Sequence, residues 1–336
     1  MVTLKDIARE CKVSFSTVSK ALKGSPEIGI ETTRMVQEKA REMGYHPNLA
    51  ARTLRTNKTY DIGMIFEDKT GAGFQHEYFA SVINGIQRVA FKKGYGITFF
   101  GLESTDNYDY LSLARARHYD GVAILSADFN SSGIINLVKS EIPTVTLDYS
   151  YDKSHSCVSS DNIKGITELT EYVISCGHKK IAMIHGEKTA VTYQRINSFK
   201  ETCEKHGIFL PDNYFIEGRY HDPNASTEAT KSILSLSDRP TCIFYSDDYA
   251  ALGGIRELTN QDLRIAKDIS IVGYDGIRLT SIMTPPLTTY KQDGIKIGES
   301  IAEVLLNQID LGQDFSPARE IVTGNLITGG TVAKLN

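Results

Sequence analysis

The spacing of apolar positions changes near residue 60. Before it, apolar residues recur every three or four positions, which predicts short helices with one buried side. After it, short apolar runs alternate with helical segments, as in parallel strands covered by helices on both faces. These predicted strands include 61–66, 95–100, 121–125, 143–147, 180–184, 241–245 and 269–273. A total of about ten strands exceeds one comfortable sheet, so we expect two doubly wound lobes.

The first 22 residues predict two short helices joined by a tight turn. Thr3 and Asp6 are spaced as a capping box for the first helix, and Ser14 is placed to cap the second. The second helix presents outward a surface of small hydroxyls and one cation, made of Ser16, Thr17, Ser19 and Lys20. Such a surface suits base edges and phosphates in a major groove, so the segment predicts a helix-turn-helix. A plain helical hairpin with a solvated face is the alternative.

A third helix is predicted over 31–43 and ends at Gly44. The stretch 45–56 then contains a short helix that Asn48 can cap, with two arginines and one projecting leucine, Leu54. Such a short helix is marginal alone in water. It therefore needs a partner helix or DNA to form.

Segments 4–22 and 45–54 resemble the DNA-binding head and hinge of the LacI/GalR family of bacterial transcription regulators. The resemblance extends over nearly the whole chain. It implies a homodimeric regulator, of the repressor type, that binds a pseudo-palindromic operator in double-stranded DNA under the control of a small effector. The DNA-contacting residues that it implies are Thr3, Lys5, Ser14, Ser16, Thr17, Ser19, Lys20, Asn48, Ala51, Arg52, Leu54 and Arg55.

The same resemblance implies a periplasmic-binding-protein-like clamshell behind the all-α head. By this mapping the head is 1–46, the hinge helix and linker are 47–60, and the effector-binding and dimerisation body is 61–336. Lobe one holds about 61–160 and 290–321, and lobe two holds about 161–289 and 322–336. The effector is expected in the cleft between the lobes.

Charge divides the chain in the same way. Residues 1–60 contain 11 Lys and Arg against 6 Asp and Glu, whereas the remainder contains 26 against 35. A basic head releases counterions from DNA, and an acidic body is repelled by DNA. We therefore expect only the head to dock.

Polar residues at predicted strand ends supply the cleft chemistry, because open parallel sheets bind ligands beyond the carboxyl ends of their strands. Arg195 and Asp275 resemble the effector-binding arginine and aspartate of the family. Asp247 is expected to touch the effector and Asp248 to cap the following helix, where the family has Asn-Asp. Three aromatic residues are expected near a sugar ring, with Tyr220 stacking on it. The candidate effector-binding residues are Phe74, Tyr78, Asp148, Asp161, Arg195, Tyr220, Asp247 and Asp275.

An acidic cleft disfavours a phosphate and favours a neutral polyol, so a carbohydrate-class effector is expected. A purine or another small polar molecule is the alternative effector. A sugar-binding transport protein is the alternative of another class, but it needs a signal peptide and no basic head. The amphipathic start and the lack of a membrane-length apolar run predict a cytoplasmic protein. The five widely spaced cysteines are expected to be buried free thiols.

Enzyme motifs are weak in this sequence. The segment 71–76 has two of the three glycines of a dinucleotide fingerprint, but His76 occupies the place of the third. His185 and Glu187 have no third metal ligand nearby and are expected in a surface loop. We therefore expect no catalytic residue, metal or cofactor.

Overall fold

The computed structural model of the chain describes residues 2–22, 24–45, 53, 56, 58–67, 75–100 and 109–335. It divides into two compact units, Met1–Thr59 and Tyr60–Asn336. Most of the predicted hinge and six candidate contact residues lie outside the described part of the chain. These six are Asn48, Ala51, Arg52, Leu54, Arg55 and Phe74.

The first unit contains helices α1 (Leu4–Glu10), α2 (Phe15–Leu22) and α3 (Ile30–Glu42). The predicted caps are confirmed. Thr3 and Asp6 form a reciprocal capping box at α1, and Ser14 Oγ accepts a hydrogen bond from the backbone N–H of Thr17, 3.0 Å away, at the start of α2. Gly44 follows α3 with φ +64°, as expected for a residue that ends a helix.

The three helices share a small apolar core and leave one side of α2 open. Buried members of this core are Ile7, Cys11, Val18, Ala21, Val36 and Ala40. Ser16 and Lys20 are exposed, and Thr17 and Ser19 are half-buried. Lys20 forms an ion pair with Glu27, a pair at the surface that is easily exchanged for a phosphate.

The second unit contains two six-stranded sheets. The first has the order β11-β5-β4-β3-β1-β2, and its paired strands are all parallel. Its strands are β1 (Asp61–Phe66), β2 (Gly96–Phe100), β3 (Gly121–Ser126), β4 (Thr144–Leu147), β5 (Ser156–Ser160) and β11 (Arg319–Val322). Its helices are α4 (Glu77–Lys92), α5 (Tyr110–Arg117), α6 (Ser132–Val138) and α12 (Gly294–Leu311). Helices α4 and α12 pack on one face, and α5 and α6 on the other.

The second sheet has the order β12-β10-β9-β8-β6-β7, with β12 antiparallel to β10 at the edge. Its strands are β6 (Ile181–His185), β7 (Phe215–Glu217), β8 (Cys242–Tyr245), β9 (Ser270–Asp275), β10 (Thr288–Lys291) and β12 (Asn325–Ile327). Its helices are α7 (Asn162–Ser175), α8 (Ala190–Lys205), α9 (Pro223–Leu234), α10 (Asp248–Asn260) and α11 (Arg278–Ser281). Helices α7 and α8 cover one face, and α9 and α10 the other. The prediction of two doubly wound lobes is therefore confirmed.

The chain passes between the two sheets three times: from β5 to α7, from β10 to α12, and from β11 to β12. After the second crossing, α12 packs against α4 with backbone in contact with backbone. A Cβ on Gly85 would lie 2.1 Å from the carbonyl oxygen of Ile295, and one on Gly298 would lie 1.9 Å from that of Val82. Only glycine permits this approach.

The cysteines match the prediction of buried free thiols. All five are buried and unpaired: Cys11, Cys157, Cys176, Cys203 and Cys242. Among the helices that the structure describes, none combines the length and apolar character of a membrane span.

Candidate effector site

A cavity of about 280 Å³ lies between the carboxyl ends of strands from both sheets. The wall from the first lobe is largely aromatic, with two carboxyl groups. It includes Phe66, Glu67, Tyr78, Phe79, Phe129, Asp148 and Tyr149. The wall from the second lobe is mostly polar and includes Arg195, Tyr220, His221, Asp247 and Asp275, with Gln292 from the second crossing. Six of the eight candidate residues are thus brought together.

Arg195 is held on the polar wall from two sides. It lies in α8, which Thr189 caps, and its side chain is only 8% exposed. Nε donates to Oδ1 of Asn162 at 2.8 Å, and Nη1 donates to the carbonyl oxygen of Ser246 at 2.9 Å. The guanidinium also lies 3.7 Å from the ring centroid of Tyr274, a cation–π contact. Within the described residues Nη2 makes no hydrogen bond, which leaves two N–H donors for a ligand.

Asp275 is the last residue of β9, where its backbone has φ +109°. This strained conformation is typical of functional positions. Oδ1 accepts a hydrogen bond of 2.6 Å from Nε2 of Gln292, whereas the buried Oδ2 has no partner in the described part of the chain. Burial, followed by the charge of Asp247, raises the pKa of Asp275 to about 7. Near neutral pH a carboxyl group of this kind accepts a hydrogen bond from a ligand hydroxyl when ionised and donates one when protonated.

Asp148 faces the cavity from the first lobe, directly after β4, with φ +58°. Its Oδ1 accepts a hydrogen bond of 3.0 Å from the backbone N–H of Ser160. Burial raises its pKa to about 6.

Asp161, in contrast, is absent from the cavity lining. It caps α7 through the backbone N–H of Lys164 at 3.0 Å, so its side chain has a local structural task.

The helix cap that we expected at Asp248 is supplied in the structure by Asp247, one residue earlier. Asp247 caps α10, since its Oδ1 accepts from the backbone N–H of Ala250 at 2.9 Å, and it also lines the cavity. Asp248, which we expected to be the cap, is completely buried. It accepts hydrogen bonds from Oγ1 of Thr289 at 2.7 Å and from the backbone N–H of Ile277 at 2.8 Å. The cap prediction for Asp248 is wrong because α10 begins at Asp248 itself, one residue earlier than the prediction requires.

The aromatic residues at the cavity belong to two groups. The ring of Tyr220 packs directly against the backbone of Gly186, where a Cβ would lie 2.1 Å from the ring. The Tyr220 hydroxyl lies 2.9 Å from Oγ1 of Thr192. On the first-lobe wall, the rings of Phe129 and Tyr149 are stacked, with centroids 4.6 Å apart. These flat apolar surfaces face charged groups across the cavity, an arrangement that fits a ring with one apolar face and polar edges.

Several lining residues were missed in the sequence. Glu67, Phe129 and Tyr149 each follow the carboxyl end of a first-lobe strand, so the strand-end rule applied to that lobe was able to find them. Glu67 is buried and accepts hydrogen bonds from the hydroxyl of Tyr110 and from the backbone N–H of Asp128. Gln292 directly follows β10 and His221 follows β7 by four residues, but these two short strands are not among those predicted from the sequence, so the rule did not reach them.

Two histidines join the lobes beside the cavity. Nε2 of His76, before α4, lies 2.6 Å from Nδ1 of His221, and both lie within 4.8 Å of the carboxylate of Asp275. Three such atoms form a possible metal-ligand set. However, Nδ1 of His76 accepts from the backbone N–H of Phe79 at 3.5 Å, and Nδ1 of His221 also lies 3.6 Å from Oδ1 of Asp247. This hydrogen bonding accounts for the contact without an ion.

The raised pKa values of Asp148 and Asp275 predict how stability depends on pH. The ordinary value is 3.8, so the folded protein holds these protons more tightly than the unfolded chain does. Their contribution to stability is therefore complete below about pH 4 and is lost as the pH rises through about 6 and 7. We expect Asp275→Asn to lessen the fall in melting temperature between about pH 5 and about pH 8, measured by thermal unfolding.

Asp314→Asn is the control for this prediction, since Asp314 is exposed and lies outside the cavity lining. An Asp275→Asn protein whose melting temperature falls as steeply as that of the wild type contradicts the assignment.

Together, a helix-turn-helix unit and a two-lobed body with a polar cavity between the lobes define a ligand-binding regulator of DNA-binding type. Family models agree with both parts. Residues 3–48 match the model for bacterial regulatory proteins of the lacI family, and residues 170–332 match the periplasmic binding protein-like domain. The chain is 34% identical over 312 residues to the protein named Probable HTH-type transcriptional repressor ExuR of Bacillus subtilis (strain 168), and the aligned residues cover 92% of each protein.

The chain therefore belongs to the lacI family of bacterial regulatory proteins. Solved structures agree in fold. The lac repressor dimer bound to operator and the anti-inducer ONPF matches with a TM-score of 0.80 and 23% identity over 99% of each chain. The transcriptional regulator CelR–cellobiose complex matches with a TM-score of 0.76 and 22% identity, over 98% of this chain and 100% of that one. ExuR and the ribose operon repressor of Escherichia coli (strain K12), which is 30% identical over 92% of this chain, are both named as repressors, and this favours a regulator over the enzyme alternative.

Proposed function

We propose that this protein is a homodimeric transcriptional repressor whose binding to a pseudo-palindromic operator is controlled by a carbohydrate-class effector in the inter-lobe cavity. The observation that carries the effector class is the contrast between the two cavity walls. Stacked aromatic rings on one side suit the apolar face of a sugar ring, and Arg195, Asp148 and Asp275 supply donors and acceptors for its hydroxyls. The cellobiose complex of a protein with the same fold supports this class.

The DNA-binding half of the proposal rests on the head. The open side of α2 presents Ser16 and Lys20 to solvent, while Val18 and Ala21 are buried. Such a helix enters a major groove with its polar side toward the bases. The hinge with Leu54, proposed to wedge into the minor groove at the operator centre, completes the contact. The lac repressor structure, a dimer bound to operator, supports the assembly.

Two measurements test the proposal. Selection of duplexes from a random pool with the full-length protein, followed by sequencing, is expected to return a pseudo-palindrome. A thermal-shift panel of D-ribose, D-glucose, D-galactose, cellobiose, D-glucuronate, adenine and guanine is expected to show the largest rise in melting temperature for a sugar. That sugar is then expected to change operator affinity. A nucleobase giving the largest rise rejects the carbohydrate class, and selection without symmetry rejects the dimeric operator.

Removing one cation from α2 is expected to weaken operator binding. Lys20→Ala removes a charge from each half-site, so we expect affinity for the selected duplex to fall about tenfold or more. The slope of log affinity against log salt is expected to flatten by about 2 in a dimer. Fluorescence anisotropy over a salt series measures both.

Arg34→Ala is the matched control. Arg34 is likewise exposed and ion-paired, with Glu38, but it lies on α3. Its loss is expected to leave affinity and salt slope nearly unchanged. Equal effects of the two substitutions rule out α2 as the DNA-facing helix.

A further inference from the structure

Asn162 occupies the first crossing between the lobes, as the first residue of α7. Its side chain is 2% exposed, and both the oxygen and the nitrogen of its amide form hydrogen bonds. Oδ1 accepts from Nε of Arg195 at 2.8 Å, and Nδ2 donates to the carbonyl oxygen of Ser160 at 3.2 Å. Ser160 is the last residue of β5 in the first lobe, and Arg195 belongs to the second. One buried side chain therefore bridges the two lobes.

The hydrogen-bond path continues to the opposite wall of the cavity. The backbone N–H of Ser160 donates to Oδ1 of Asp148 at 3.0 Å. Asp148 and Arg195 are charged groups that face the cavity from different lobes. The path from Asp148 through Ser160 and Asn162 to Arg195 thus joins the two walls behind the ligand space.

The chemistry of the path requires an amide at position 162. Arg195 Nε is a donor and needs an acceptor, whereas the Ser160 carbonyl is an acceptor and needs a donor. Aspartate offers the acceptor alone, and leucine offers neither. A buried amide with both partners satisfied also holds a single orientation, because any rotation leaves a polar group unpaired.

We propose that Asn162 is a positioning residue: it aims Arg195 at the effector and ties the position of Arg195 to the first lobe through the crossing. This inference rests on the proposed function for its biological meaning. A sugar that binds Arg195 and Asp148 together changes their separation, and Asn162 transmits that change to the crossing. Effector binding and lobe movement are thereby coupled through one side chain.

Two variants separate the two contacts of Asn162, and a third serves as the control. Asn162→Asp keeps the acceptor for Arg195 and loses the donor for Ser160, whereas Asn162→Leu loses both. Thr170→Val is the matched control, because Thr170 is a fully buried residue of the same helix whose hydroxyl bonds locally to the Ile166 carbonyl. All three variants lower stability, so thermal unfolding alone does not distinguish them.

The first readout needs no sugar. The Nε–H group of Arg195 is observed by NMR in protein that carries isotopically labelled arginine. Its signal is identified as the one that is missing from the spectrum of the Arg195→Lys variant. Its exchange with solvent is expected to be slow in the wild type, Asn162→Asp and Thr170→Val, and fast in Asn162→Leu. Slow exchange in Asn162→Leu overturns the proposal, even if no sugar in the panel binds.

The second readout uses the panel sugar that gives the largest thermal shift. Asn162→Leu is expected to weaken its binding roughly tenfold to a hundredfold in calorimetric titration, as for loss of a hydrogen bond to a charged group. Asn162→Asp is expected to bind the sugar nearly as well as the wild type but to show a smaller sugar-induced change in operator affinity. A full change in Asn162→Asp overturns the link through Ser160. A wild-type protein without any sugar response refutes the proposed function instead, and the exchange measurement then still decides the anchoring of Arg195.

Discussion

Replacing Asp248 by alanine is expected to lower the free energy of unfolding by about 3 kcal/mol or more, a large effect for a single substitution. The carboxylate joins α10 to Thr289 of β10 and to the backbone N–H of Ile277 after β9. All three groups are buried. Its removal leaves two buried donors unpaired, and each costs about 1–3 kcal/mol. Urea denaturation followed by tyrosine fluorescence measures the shift in midpoint.

Asp248→Asn is the companion variant. It retains one acceptor and the side-chain shape, but its NH₂ group meets a donor. We expect Asp248→Asn to lower the free energy of unfolding by less than Asp248→Ala does. Near-wild-type stability of Asp248→Ala contradicts the role assigned to Asp248. The same carboxylate also explains Gly273, because a Cβ there would lie 2.2 Å from Oδ1 of Asp248.

Replacing Arg195 by methionine is expected to lower affinity for the effector sugar by a factor of roughly 100 or more. Methionine keeps an apolar stem of similar length but removes the guanidinium, and with it every donor and the cation–π contact with Tyr274. Hydrogen bonds from a charged donor are worth about 1.5–3 kcal/mol each, and two N–H groups of Nη2 are available to the ligand. Calorimetric titration with the sugar selected by the thermal-shift panel measures the loss.

Arg195→Lys is the control for charge. Lysine retains a cation but not the planar fork, so we expect an affinity between those of the wild type and Arg195→Met. Operator affinity without sugar is expected to be unchanged in both variants, since DNA contact is assigned to the head. If Arg195→Met binds the sugar as tightly as the wild type, Arg195 does not contact the effector.

The sequence predicted the lobes because long apolar runs mark buried parallel strands. It did not predict β5, whose residues Ser156, Cys157 and Ser160 are buried although the strand is mostly hydroxyl-bearing. This strand is covered because β4 and β11 flank it, and periodicity within five residues does not contain that information. The antiparallel edge strand β12 was missed for a similar reason, since its pairing with β10 is decided far along the chain.

The rule about strand ends predicted the cavity carboxylates, whereas Arg195, which lies within α8, was predicted from its resemblance to the effector-binding arginine of the family. Arg195, Asp148 and Asp275 lie on the cavity as expected. Asp161 follows a strand as well, yet it caps α7, and its neighbour Asn162 reaches Arg195 instead. A difference of one residue in register decides which side chain faces inward, and composition does not reveal it.

The three crossings between the lobes also determine the order in which the chain can fold during synthesis. The core of the first lobe requires α12 and its sheet requires β11, which are encoded after almost the entire second lobe. Residues 61–160 therefore emerge from the ribosome with the apolar side of α4 uncovered, and they wait for a further 130 or so residues before α12 arrives. A nascent chain in this state presents a surface that chaperones bind, and a chain released before α12 lacks a native first lobe.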